Sequence, residues 1–151
     1  MEIRLDDPTR PDVVELLRGH LRSMALHSPP ESIHALGLEA LPRPDVTLWT
    51  ARKSQELLGC GAILELGPDH GEIKSMRTAS AHLRQGVAAS LMRHMLEEAK
   101  RRSYGRLSLE TGSMAAFAPA RSLYAGFGFR LCDPFGEYVE DPNSVFMKRE
   151  L

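Results

Sequence analysis

Glu72-Ile-Lys-Ser-Met-Arg-Thr-Ala-Ser-Ala-His-Leu-Arg-Gln-Gly-Val-Ala88 decides how this chain is read. Residues 72–78 read as a strand carrying apolar Ile73 and Met76. A short polar loop follows, and Gly86 opens a helix. Val87, Ala88, Leu91, Met92, Met95, Leu96 and Ala99 recur at helical spacing and form one apolar stripe. The helix runs to about Arg102, where Lys100, Arg101 and Arg102 suit the negative end of its dipole. This cluster reads as a solvated helix end. Leu107 and Leu109 alternate in the next strand. A strand–helix–strand unit over 72–109 implies a right-handed crossover between parallel strands.

Upstream, Ile3 and Leu5 suggest a first strand, and 11–27 is an amphipathic helix ended by Pro29-Pro30. Glu31–Leu41 reads as a second, shorter helix. Strands are expected at 46–52 and 57–66, with tight turns at 53–56 and 67–71, so the central strands are antiparallel. Trp49 is expected in the core. Downstream, Pro119–Phe127 reads as a short helix, followed by strands at 129–132 and 145–149. The order is β-α-α-β-β-β-α-β-α-β-β: a mixed, mostly antiparallel α/β sheet with helices on both faces.

The 151 residues fit one domain, 1–151. With 19 basic and 20 acidic side chains the net charge is −1, which offers no global field for nucleic acid. No apolar run reaches the ~18–20 residues of a membrane span. Residues 1–12 are polar and acidic rather than a secretory leader, so a cytoplasmic location is expected. Cys60 and Cys132 form no CxxC pair and are expected to be reduced thiols. His20, His27 and His34 are seven apart, which would place them near one face of a continuous helix. Pro29-Pro30 breaks that helix and no second ligand cluster exists, so no metal site is expected.

The start of the 86–102 helix has unpaired N–H groups and a positive dipole end, a setting for an anion such as a diphosphate. Gly86 lets the backbone approach, small Ala88 leaves room, and Arg84 adds charge. Neither a GxxxxGK[ST] loop nor a GxGxxG fingerprint is present. A second segment, Leu123-Tyr-Ala-Gly-Phe-Gly-Phe129, puts a tyrosine on a short helix far from this loop in sequence. Alone, Tyr124 would be a half-buried packing residue with its hydroxyl at the surface.

Together these two segments resemble the GNAT superfamily of acyl-CoA-dependent N-acyltransferases. Leu83-Arg-Gln-Gly-Val-Ala88 resembles the family's Arg/Gln-x-x-Gly-x-Gly/Ala signature, with Leu83 departing at the first position. Leu123-Tyr124 and Gly128-Phe129 resemble its Leu-Tyr…Gly-Phe segment. Phe117 stands where the family often has an asparagine. Glu72–Met76, Leu109–Ser113 and His27–His34 resemble a bacterial subgroup of small-molecule N-acetyltransferases.

The resemblance implies direct acetyl transfer from acetyl-CoA to a small-molecule primary amine in a ternary complex, with no metal. It implies pantetheine pairing on the backbone of Met76, Arg77 and Thr78. It implies diphosphate binding by Arg84, Gln85, Gly86, Val87, Ala88 and Ala89. The amine must lose a proton, the thioester oxyanion needs a donor, and the thiolate benefits from an acid. Tyr124 is the candidate acid. Glu72 and Glu110, on the strands flanking the crossover helix, are candidate bases, with Glu72 favoured slightly. His27 and His34 are candidate acceptor-side residues. A peptide or protein acceptor, or a non-catalytic acyl-CoA sensor, are the competing readings. No nucleic-acid or membrane partner is expected, and a homodimer stays open.

Overall fold

A run of β-formers, Val46-Thr-Leu-Trp-Thr50, starts the central meander of the computed structural model, which describes residues 1–151. The strands are β1 (Glu2–Leu5), β2 (Val46–Lys53), β3 (Glu56–Gly67), β4 (His70–Thr78), β5 (Arg106–Gly112), β6 (Arg130–Leu131) and β7 (Ser144–Glu150). The α-helices are α1 (Pro11–His27), α2 (Val87–Arg101) and α3 (Ala118–Gly126). The sheet order is β1-β2-β3-β4-β5-β7-β6. Only β4 and β5 run parallel. This is the mixed, mostly antiparallel α/β sheet that the sequence implies, and α2 is its crossover.

Helices cover both faces because the strands alternate two apolar sets. On one face Ile63, Ile73, Leu107 and Leu109 pack under α2, together with Tyr124, Phe129 and Trp49. On the other, Cys60, Ala62 and Leu48 receive Val13 and Leu17 of α1, and Leu41. Trp49 is core, as expected. The basic end of α2 is partly tied down: Arg101 and Arg102 pair with Glu98, and Arg102 lies over the Trp49 ring.

One expected element is absent as an α-helix. Residues 31–41 form two 3-10 turns, Pro30–Ser32 and Leu38–Ala40. Gly37, extended at φ −71° and ψ 163°, separates them. The intervening chain follows the surface of α1 and β2, where Leu36, Leu38 and Leu41 pack one at a time. An apolar spacing that imitates a helix therefore belongs to a wrapping segment. At the far edge of the sheet β7 lies between β5 and the two-residue β6.

Candidate acetyl-transfer cleft

The site begins as a gap in the sheet. β4 and β5 pair only at His70–Arg106, Gly71–Leu107 and Glu72–Ser108. Beyond Glu72 the strands separate, while β4 stays paired to β3 as far as Thr78. The edge of residues 73–78 that faces β5 therefore carries no strand. Met76, Arg77 and Thr78, expected to pair with pantetheine, lie on that edge.

A bulge in β4 sets what faces the gap. Gly61 of β3 stands opposite both Ser75 and Met76, and Ser75 takes φ +54°. Gly61 leaves room there for two methionines, since a Cβ would come within 2.6 Å of Met76 Sδ and 2.8 Å of Met95 Sδ. The extra residue resets the in–out alternation. Met76 turns toward α2, and Arg77 turns toward α1 beside Lys74.

A cleft of about 240 Å³ fills the gap on the α1 side. Glu110 and Tyr124 both line it. Glu110 accepts a 2.7 Å hydrogen bond from Ser144 Oγ, and burial raises its carboxyl above the ordinary range. Tyr124 is only 7% exposed and sits edge-on to Phe129 at 6.1 Å between centroids. Burial, and then the neighbouring Glu110, push its phenol above the usual value. No hydrogen bond adds to that shift.

Glu72 is placed differently. It is 3% exposed, and its Oε2 accepts from Lys74 Nζ at 3.1 Å and from the Tyr138 hydroxyl at 2.5 Å. It does not line the cleft. Lys74 also donates to His34 O at 2.8 Å and to the Tyr138 hydroxyl at 2.9 Å. This node is a wall joining β4 to the loop before β7.

His34 and His27 both reach the cleft. His34 lies edge-on to Tyr138 at 5.0 Å, and His27 edge-on to Phe117 at 6.3 Å. Sequence reasoning gave no role to His20, Phe117 or the Arg77 side chain, and all three line the cleft as well. The ring of Phe117 closes on Gly112, where any Cβ would come within 2.3 Å of it. The seven-residue spacing puts His20 and His27 near one face of α1, whereas His34 comes from the irregular segment beyond it, and no three His, Cys, Asp or Glu residues are grouped to hold a metal.

The loop before α2 ends in two left-handed residues, Arg84 at φ +62° and Gly86 at φ +80°. Gly86 is the N-cap, and a Cβ there would meet nothing within 4 Å. Ser90 N is the first α2 amide to bond back, to Gly86 O at 3.0 Å. The N–H groups of Val87, Ala88 and Ala89 therefore have no helical partner. Open space, free donors and the exposed Arg84 and Gln85 fit a bound diphosphate.

The acetyltransferase (GNAT) family model matches residues 11–129. The uncharacterized N-acetyltransferase YsnE of Bacillus subtilis is 60% identical over the full length of both chains. The uncharacterized N-acetyltransferase YedL of Escherichia coli is 46% identical, covering 99% of this chain and 94% of its own. A GNAT acetyltransferase from Elizabethkingia anophelis, solved with acetyl-CoA bound, superposes with a TM-score of 0.73. It is 20% identical and covers 99% of this chain and 97% of that one. With a matching motif pair, a sheet that splits between β4 and β5, and relatives of this closeness, the chain belongs to the acetyltransferase (GNAT) family of N-acetyltransferases.

Proposed function

We propose that residues 1–151 act as one domain that moves the acetyl group of acetyl-CoA to a primary amine of a small molecule, by direct attack in a ternary complex. The observation that carries this is the meeting of Glu110 and Tyr124 in one cleft from opposite faces of the sheet. Glu110 accepts the ammonium proton, directly or through water. The freed amine attacks the thioester carbonyl, the C–S bond breaks, Tyr124 gives its proton to the departing sulfur, and the second amine proton, shed as the amide forms, restores the phenol. The free edge of Met76–Thr78 and the amides of residues 84–89 hold the donor. Glu72 serves the wall rather than the reaction, since both Lys74 and Tyr138 already occupy its Oε2.

A small acceptor is favoured over a protein because the two segments beside the cleft are tied together, which narrows the approach to it. Ser32 Oγ donates to Asp141 at 2.6 Å, and Asn143 Nδ2 donates to Ser32 Oγ at 3.4 Å, tying the α1-side segment to the loop before β7.

The test is release of free CoA with a panel of small amines. Positioned acid–base groups are typically worth ~10²–10⁴-fold. Glu110→Gln should lose that much kcat/KM near neutral pH, and the defect should shrink at high pH, where the amine is already neutral. In the wild type, activity should fall as pH drops through the raised Glu110 pKa, because a base must be ionised. Tyr124→Phe should lose kcat with the KM for acetyl-CoA unchanged. Full activity in both variants would remove these assignments, and a wild type that binds acetyl-CoA without turnover would favour a sensor.

A further inference from the structure

We infer that the acceptor carries a carboxylate beside its amine and that Arg77 selects for it, an inference that rests on the proposed transfer to a small amine. The bulge at Ser75 turns Arg77 onto the acceptor side of the sheet, where it lines the cleft under α1. Its Nε is buried with no hydrogen-bond partner. It takes part in none of the protein's ion pairs. An uncompensated, partly buried cation is costly unless an anion completes it.

Nothing on the cleft wall does so. Glu110 is the single carboxylate lining the cleft, and Ser144 holds it. Lys74, the other fixed cation there, already spends its three donors on Glu72, Tyr138 and His34 O. Arg77 is the free one, and a planar guanidinium matches a carboxylate with two parallel hydrogen bonds. Arg77 also lines the neighbouring groove under Gly19 with Asp12, Glu15 and Glu56, but these carboxylates pair with Arg52, Arg22 and His82 and none comes within ion-pair distance of it. Glu110 and Arg77 thus offer one acceptor an ammonium site and a carboxylate site in the same cleft, the pattern of an amino acid.

The experiment compares the common L-amino acids with their carboxamides as acceptors, for wild type, Arg77→Met and Arg77→Lys. The wild type should prefer the carboxylate form by about tenfold or more in kcat/KM, the range of one charge-assisted pair. Arg77→Met should lose the preference through KM while the KM for acetyl-CoA stays within about twofold. Arg77→Lys should keep part of it, and circular dichroism shows that both variants are folded. Titration of N-acetyl amino acids and their amides into the CoA complex, read by NMR, reports recognition without turnover. Carboxylate binding that depends on Arg77, with no transfer to any amine, would uphold the inference and overturn the proposed activity. Transfer to uncharged amines with no carboxylate preference would do the reverse. A loss of acetyl-CoA affinity in Arg77→Met would give the arginine to the donor and overturn the inference.

Discussion

His20 shows what the cleft demands of a single side chain. It lines the cleft, and burial, then the charge of Arg77, lower its pKa from 6.5 to about 4. A histidine held neutral in the fold but free to charge when unfolded stabilises the protein above pH 6.5 only. That contribution is lost as pH falls from 6.5 toward 4, at about 1.4 kcal/mol for each tenfold in proton activity, or about 3 kcal/mol in all. His20→Gln should therefore flatten the fall in melting temperature between pH 6.5 and 4, measured against wild type by calorimetry. An unchanged slope would place the acid sensitivity elsewhere. Tyr124 and Gly86 were legible in the sequence because each sits in a motif whose chemistry does not depend on face. Arg77 was legible only as backbone. Simple alternation from Ile73 puts it under α2, and the bulge that moves it to α1 arises from two residues facing Gly61, a tertiary fact. Glu72 looked the better base for the same reason: its strand position was readable, but its capture by Tyr138, sixty-six residues away, was not.

At the scale of elements, the N-terminal third is fastened by one arginine that composition hides. Arg52 is 2% exposed, and its guanidinium donates to Asp12 of α1 at 2.7 Å, to Asp6 after β1 at 3.0 Å and to Gln55 O of the hairpin at 3.1 Å. Thr50 donates to the same Asp6 oxygen at 2.6 Å. Arg52→Met should cost about 3–5 kcal/mol, because it leaves Asp6 buried with its close partner gone. Chemical denaturation measures this, and a double variant with Asp6→Asn should recover part of the loss. A cost below about 1 kcal/mol would make the network ornamental. The helices α1, α2 and α3 were legible from 3.6-residue periodicity, proline starts and glycine ends. Residues 31–41 were not, since Ile33, Leu36 and Leu41 imitate that period while packing separately around Gly37.

Over the whole molecule, three distant segments close the acceptor side as one wall. The Tyr138 hydroxyl donates to Glu72 and accepts from Lys74, which in turn holds His34 O. Ser32 and Asp141 make a second tie between the same two segments. Burial, then Glu72, raise the Tyr138 phenol, so it remains a donor across the physiological range. Tyr138→Phe keeps the ring against Phe135 and Phe146 but removes both hydrogen bonds to charged groups. The loss should be about 1.5–3 kcal/mol of stability, the scale of a hydrogen bond to an ionised partner. Its functional signature should be one-sided. The anion site proposed for the donor is at the start of α2 rather than on this wall, so the KM for acetyl-CoA should hold while the KM for the acceptor rises several-fold. Hydrogen exchange should quicken together in residues 28–45 and 132–143, and stay slow in β3 and α2, because local opening is confined to the segments the latch joins. Faster exchange in 132–143 alone would mean that Ser32 and Asp141 hold the α1-side segment independently and that the wall is two latches rather than one.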